Sequence, residues 1–533
     1  MKNYSFSKKI VLTFWTLFYI LIFSLLLNNS FSYLDPDLGW HLRAGEDIAI
    51  TKSVNPQNFY NHSYTGDWVN HEWLGDYLSF FIFKQLGYFW LNIFFVLLIL
   101  VSLLSLTIIT YRRLGSRALI PLAILQLLGV LASLPHLGVR LQEFSWLLLI
   151  LELGIVSHWL KTRQTKLLLL LPPLFLLWAN LHGSFLFGLA ILGLLVVIAI
   201  LEKIVYRLRA VNSIIKPIKL SNQSLLSFSA CFLLSGLATL INPYNLKLYS
   251  FLTGYRNTAY LNLIQEWLPP YVFPIEYFRF IYLGILIFAL ISYFKKARQA
   301  QLSLLNSWQV VLIIISLGLF FMARRFFPLV FIITLLPLLE ILVQTISTKL
   351  ISLFQLNKLT ISLSLVVLGL SASSLLLSAQ YTNDPFFSYC DKYPCQAITW
   401  LKDQSSLDNY QLFNSYGWGG YLAWTLPELK TFIDGRLPQL VINDHTFIEE
   451  YFSFFNEEEN LEKKLADYHI NLVLISQNEF SLNLKKWEQL VFSPFKKLTP
   501  RPNHLLNYLT ASPNWQLIYT DSSALVFSLE SQD

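Results

Sequence analysis

Long apolar runs separated by short polar clusters dominate the first 380 residues. A helix needs about 20 apolar residues to cross roughly 30 Å of hydrocarbon, and a window of that size finds about eleven candidate spans. They lie near 10–28, 88–110, 118–135, 144–160, 167–181, 183–201, 224–241, 278–294, 305–322, 326–346 and 359–379, with Asn180, His182 and Gly183 interrupting the pair 167–201. Residues 76–87 (DYLSFFIFKQLG) are amphipathic and predict a helix lying along the membrane interface. Beyond about Tyr381 the pattern shortens. It predicts a helix near 394–404, a strand at 409–413, a helix at 418–426, a strand at 430–434, helices around 444–467 and strands at 470–476, 514–520 and 523–529. That alternation reads as a small α/β domain. The expected fold is mainly α: a polytopic transmembrane helical bundle over 1–380, carrying a long first loop at 29–76, and then an α/β domain over 381–533.

Composition excludes a water-soluble globule. Of the 533 residues 55% are hydrophobic and 13% charged, about half the charged share of soluble domains. The net charge of +7 does not point to nucleic acid, because the cations fall in short clusters between apolar runs rather than on one basic face. Those clusters set the orientation. Lys2, Lys8 and Lys9 precede the first span. Arg112, Arg113 and Arg117, then Lys161, Arg163 and Lys166, then Lys203, Arg207, Arg209, Lys216 and Lys219, and finally Lys295, Lys296 and Arg298 occupy alternate loops. The positive-inside rule places these with the N-terminus in the cytoplasm and the C-terminal domain outside. No small-residue cleavage site follows the first run (NNSFSYLD), which reads as a retained anchor. Cys231 lies in an apolar run, whereas Cys390 and Cys395 (YCDKYPC) are close enough to pair in an oxidising compartment.

The first outer loop concentrates the candidate chemistry. It holds Asp35, Asp37, His41, Arg43, Glu46, Asp47, His71, Glu72 and Asp76 among many aromatic residues. Two carboxylates separated by one proline at a membrane surface suit a divalent cation or a general base. Pro36 fixes its own backbone and biases Asp35 away from helix. From Leu38 the pattern turns helical, which puts Asp37 at an N-cap with His41 and Arg43 in the first turns. The same residues also read as a helix cap with solvated charges around it.

An acidic motif at the start of the first outer loop, a long helical loop and about a dozen spans together resemble the C-type glycosyltransferases. That superfamily includes oligosaccharyltransferase catalytic subunits, protein O-mannosyltransferases and bacterial aminoarabinose transferases, which use polyprenyl-phosphate-linked sugars. More closely, D-P-D-L-G-W-H-L-R-A-G-E, N-H-E-W-L, W-A-N-L-H-G-S-F-L-F-G-L and G-G-Y-L-A-W…F-I-D-G-R resemble a group of bacterial polytopic proteins described as glycosyltransferase-like without a defined reaction. The resemblance implies a bacterial plasma-membrane protein whose Asp37, or else Asp35, activates the acceptor or positions Mg or Mn, with His71 and Glu72 beside it. The chain lacks the H-P-P segment of the mannosyltransferases and the W-W-D-Y-G motif of oligosaccharyltransferases, for which Tyr416–Tyr421 (YGWGGY) is only an echo.

Ionisable residues at membrane depth are costly and mark function by default. Arg140 precedes the fourth span, His182 lies where two spans meet, and Arg324 and Arg325 separate the ninth from the tenth. A phosphate-bearing donor needs such cations, and Arg pairs well with phosphate oxygens. Interfacial snorkelling of the arginines and a packing role for His182 are the alternatives. The segment 241–270, with Arg256 and Glu266, reads as a lid or a connector. Asp434 and Arg436 follow a predicted strand, where open α/β sheets place ligands, or form a structural Asp-Gly turn. The turn N-S-Y-G-W-G-G lacks the order of a dinucleotide-binding loop, and no P-loop, zinc spacing or Ser-His-Asp set is present. The expectation is a membrane glycosyltransferase with a polyprenyl-phosphate donor and an unidentified lipid, glycan or protein acceptor. A non-catalytic scaffold or lipid-handling protein of the same fold is the alternative.

Overall fold

The computed structural model describes residues 8–54, 59–208, 215–254, 263–272, 275–297, 305–345, separate positions within 363–373, 385–404, 407–442, 444–477, 479 and 503–530. In chain order the first helices are α1 (Lys8–Ser32), α2 (Leu38–Thr51), α3 (Trp73–Leu86), α4 (Tyr88–Leu114), α5 (Leu119–Ser133), α6 (Gln142–Thr162) and α7 (Leu171–Leu181). Next come α8 (Phe185–Leu208), α9 (Asn222–Ala238), α10 (Leu246–Thr253), α11 (Tyr277–Ala297), α12 (Ser307–Met322) and α13 (Phe327–Thr345). The C-terminal part adds α14 (Cys395–Lys402), α15 (Gly419–Thr425), α16 (Phe447–Asn456), α17 (Leu461–Asp467) and α18 (His504–Ala511). Its strands are β1 (Leu412–Asn414), β2 (Val441–Ile442), β3 (His445–Thr446), β4 (Leu472–Ser476), β5 (Trp515–Thr520) and β6 (Ala524–Leu529).

The chain divides into two compact units, Met1–Ser32 with Phe89–Leu246 and Leu268–Gln380, and Tyr33–Tyr88 with Lys247–Trp267 and Tyr381–Asp533. The first is a helical bundle. Among the described residues, six helical stretches are long and apolar enough to cross a membrane: Lys9–Ser32, Tyr88–His136, Gln142–Thr162, Phe185–Ile204, Tyr277–Ala297 and Arg324–Thr345. Thr165–Leu181 and Ser307–Met322 are shorter apolar helices. Every predicted run up to 326–346 is helical, while 359–379 falls largely outside the described residues, as do Lys2, Arg209, Arg256 and Arg298. Helix α13 is the most enclosed. Tyr282 of α11 shares a hydrogen bond with Thr334 (2.9 Å) and Gln309 of α12 donates to Glu340 (2.8 Å), so polar groups that lipid cannot satisfy are met between helices. Large apolar side chains such as Leu226, Leu233, Phe288 and Ile314 point outward, as expected where the solvent is hydrocarbon. This is a multi-pass membrane protein.

The second unit has a four-stranded mixed sheet in the order β1-β4-β6-β5. β1 runs parallel to β4, and β6 is antiparallel to both β4 and β5. The central strand β4 (LVLIS) is buried along nearly its whole length, which explains its continuous apolar run. Phe413 of β1 packs against Phe432, Tyr451 and Phe454, with ring centroids 4.9, 5.5 and 4.9 Å away. A disulfide joins Cys390 to Cys395 at the start of α14.

One predicted strand is absent. Residues 430–434 have only an isolated bridge, Thr431 to Asn61. Their backbone groups are taken elsewhere. The Thr431 amide donates to the Tyr60 carbonyl (3.0 Å) and the His62 amide donates to the Thr431 carbonyl (3.2 Å). The Asn414 side chain accepts from the Phe432 amide (2.8 Å) and donates to the Ile433 carbonyl (2.9 Å). A side-chain clamp and a segment of the first loop thus replace a ladder. The hydrophobic pattern predicted an extended strand, and residues 431–434 are buried without one.

Candidate active site

Asp35-Pro36-Asp37 closes a turn in which the Leu38 amide donates to the Asp35 carbonyl (3.2 Å). The Asp35 carboxylate accepts from the Asp37 amide (2.9 Å). Asp37 is the N-cap residue of α2, as the pattern predicts, yet its side chain makes no capping hydrogen bond. Its carboxylate instead accepts from the Trp40 indole N–H (3.0 Å). Gly435 lies against that carboxylate, and a Cβ there would collide with it. Burial first, then the negative charge of Asp35, push the Asp37 carboxyl up to about 6, against the opposing effects of His41 and the Trp40 hydrogen bond. Glu266, in the short turn Gln265–Trp267, adds to the rise.

His41, one turn further along α2, is buried and bonded through Nδ1 to Asp76 of α3 (2.6 Å). Asn70 donates to the other Asp76 oxygen (2.7 Å). Glu72 lies 3.9 Å from His41 Nε2 and 3.7 Å from His71. Burial works against a charged imidazole here, but Asp76, Glu72 and Asp37 outweigh it and hold His41 protonated, pushed up to about 9. Two backbones approach closely to make this possible. Helix α15 crosses α2 so tightly that a Cβ at Gly39 would strike the Gly420 carbonyl, and one at Gly420 the Pro36 carbonyl. The G-G of the GGYLAW segment and the glycine of D-L-G-W are therefore one contact.

Asp434 and Arg436 are fully buried and paired with each other. Arg436 donates from Nε to Asp434 (3.0 Å) and from Nη2 to Asn61 (2.9 Å). Its guanidinium lies 4.3 Å from the Tyr60 ring, 4.7 Å from Trp68 and 5.9 Å from Trp40. This arginine braces aromatic side chains of the first loop rather than standing at an open strand end. Arg43 is half-buried and paired with Glu46 at 2.8 Å.

The remaining candidates belong to the bundle. His182 caps α7 and its Nδ1 shares a hydrogen bond with Ser184 (2.9 Å), which donates to Ser145 (2.6 Å). Arg324 is buried, with Nη2 donating to the Val272 carbonyl. Arg140 and Arg325 are half-buried. These three arginines, together with Arg279, lie within electrostatic reach of His136. His136 is buried, and neither ring nitrogen has a hydrogen-bond partner among the described residues. The same holds for Arg279 Nη2 and Arg324 Nε. Arg279 also donates to the carbonyls of Ala132 and Arg324 (3.0 Å each) and pairs with Glu276.

Sequence reading missed His136, Arg279, Asn70 and the role of Asp76. A charge inside the apolar run at Arg279 was the available signal; Asn70 carried none. Among the described residues, no three or more His, Cys, Asp or Glu side chains are grouped to hold a metal ion.

No protein family matches the sequence, and no curated protein matches it. Solved structures do. The oligosaccharyltransferase of Archaeoglobus fulgidus tethered to an acceptor peptide with the NVT sequon superposes with a TM-score of 0.52 at 11% identity, covering 86% of this chain and 69% of that one. The archaeal oligosaccharyltransferase AglB of the same organism, in complex with an inhibitory peptide and a dolichol-phosphate, gives a TM-score of 0.50 at 12% identity over 97% and 74%. The likeness is one of fold: a membrane helical bundle with a C-terminal α/β part, as in those oligosaccharyltransferases.

Proposed function

We propose that this chain is an integral membrane glycosyltransferase that moves a sugar from a polyprenyl-phosphate-linked donor to a lipid, glycan or protein acceptor. The observation that carries the reading is Asp37. Its carboxylate is not consumed in capping, sits beside a second carboxylate, and is raised to about 6, near the range in which a base works at neutral pH. The acceptor O–H or N–H attacks the anomeric carbon, its proton passes to Asp37, and the bond from that carbon to the phosphate oxygen breaks with the electron pair leaving on the lipid phosphate. Asp35, His41, His71 and Glu72 hold the charge balance around the base. In the bundle, Arg140, Arg279, Arg324 and Arg325 match a phosphate, whose negative charge would answer the buried guanidinium and His136 groups. His182, Glu266, Asp434 and Arg436 support packing and electrostatics rather than substrate contact.

In place of the base role, Asp35 and Asp37 would together hold a hard divalent cation such as Mg or Mn, which takes one or two carboxylates and completes its shell with substrate phosphate and water. When bound, it would neutralise phosphate charge. The disulfide and the basic clusters support an extracytoplasmic second unit, and the sequence resemblance supports a bacterial plasma membrane.

The test is transfer of radiolabelled sugar from polyprenyl-phosphate hexose or pentose by the reconstituted protein, with lipid, glycan and peptide acceptors offered in turn. Asp37→Asn is expected to cut turnover by about 10²–10⁴-fold without lowering the melting temperature, and Arg324→Ala to raise KM for the donor. Unchanged turnover in Asp37→Asn, or no transfer by folded wild type from any of these donors, favours the scaffold reading instead.

A further inference from the structure

We infer that the second unit carries a saccharide-binding cleft of its own, distinct from the Asp35–Asp37 turn. The cleft encloses about 300 Å³ between one face of α2, residues 59–70 and the segment around Pro427. On the small-ligand scale this admits about one or two sugar rings. Helical spacing sets Arg43, Asp47 and Thr51 on the face of α2 that lines it, and Phe59, Tyr60 and Trp68 supply rings opposite.

The chemistry selects the ligand. Arg43 is already paired with Glu46, and Asp47 accepts the Tyr60 hydroxyl while keeping its negative charge, so the cleft presents no uncompensated cation to an anionic ligand. It offers planar polar groups suited to neighbouring hydroxyls, next to aromatic faces suited to the apolar C–H side of a pyranose. Phe59 is 49% exposed, a large ring held in solvent at the cleft wall. Tyr60 and Trp68 meet edge to face with centroids 6.4 Å apart, and the Arg436 guanidinium packs on both. That bracing from the F-I-D-G-R segment fixes the rings before a ligand arrives, which lowers the ordering cost of binding. At the cleft, Asn70 bonds to Asp76 and so joins the His41 network.

The occupant is a neutral glycan, and its role as acceptor rests on the transferase reading; its binding does not. The test is saturation-transfer NMR and calorimetry on the full-length protein in nanodiscs free of glycolipid and glycoside detergent. Methyl glycosides of glucose, galactose, mannose and N-acetylglucosamine and their disaccharides serve as probes, with a neutral tripeptide for comparison. At least one saccharide is expected to saturate, with affinity falling about 3- to 10-fold in Phe59→Ala and remaining at the wild-type value in Phe288→Ala, the same change on the outer face of the bundle. Absence of saturation by every saccharide, indifference to Phe59→Ala, or saturation by the tripeptide alone overturns the cleft assignment. Saccharide binding without sugar transfer by wild type removes the transferase and keeps the cleft; transfer without such binding does the reverse.

Discussion

Asp37 and Arg436 lie in one unit of the molecule and do opposite things. Asp37 keeps its carboxylate out of the cap, whereas Arg436 turns its Nε and Nη2 donors to Asp434 and Asn61 and lies against aromatic rings. Removing one partner of a buried pair strands the other, so Arg436→Ala is expected to lower stability by about 3–5 kcal/mol. The double change Asp434→Leu with Arg436→Met is expected to lose much less, because no buried charge is left; thermal unfolding in detergent compares the two. His41 has the opposite sign from an ordinary salt-bridged acid. Its proton is held more tightly folded than unfolded, so its stabilisation is complete below pH 6.5 and lost as pH rises through about 9. A melting series from pH 6 to 10 is expected to show that decline, with a shallower slope in His41→Gln. A wild-type curve flat across this window would mean His41 carries no proton. For Asp37 the folded state favours the neutral acid, so charging it above about 6 weakens folding while switching on the base. Turnover is expected to rise with pH through about 6, and a pH–rate profile reads that limb.

At the level of elements, the informative case is the contact of α2 with α15. Sequence showed an apolar-aromatic helix near 418–426 and a helical loop after Leu38, and both exist. That their glycines meet backbone to backbone was not visible, because no local pattern names the partner of a glycine. Gly420→Ala forces the two apart and is expected to cost about 1–3 kcal/mol, measured by protease resistance of the second unit. The missing strand at 430–434 has the same origin: propensity gave burial, but Asn414 and residues 60–63 supplied the hydrogen bonds. The Cys390–Cys395 link closes a short loop, so its reduction is expected to lower stability by only about 2 kcal/mol. A melt with and without reductant measures it.

For the whole molecule, hydropathy alone separated membrane from water, since spans are set by hydrocarbon thickness and apolar length. Charge bias predicts the C-terminal part outside, so a C-terminal alkaline phosphatase fusion is expected to be active while a green fluorescent protein fusion stays dark. The reverse result would invert the topology and move the acidic loop to the cytoplasm. The architecture is shared with oligosaccharyltransferases at 11–12% identity, a level at which fold outlasts sequence and chemistry must be argued from the site.

The chain by itself determined what depends on neighbours in sequence: the apolar spans, the helix after Asp37, the turn held by Pro36 and the order of most C-terminal elements. Tertiary structure decided what depends on partners far along the chain. It set Asp76 against His41, Asn61 and three rings around Arg436, and Arg279 beside His136. The reason is physical: a periodicity records which face is buried, while a buried charge is defined by the groups that compensate it, and those arrive only when the chain folds.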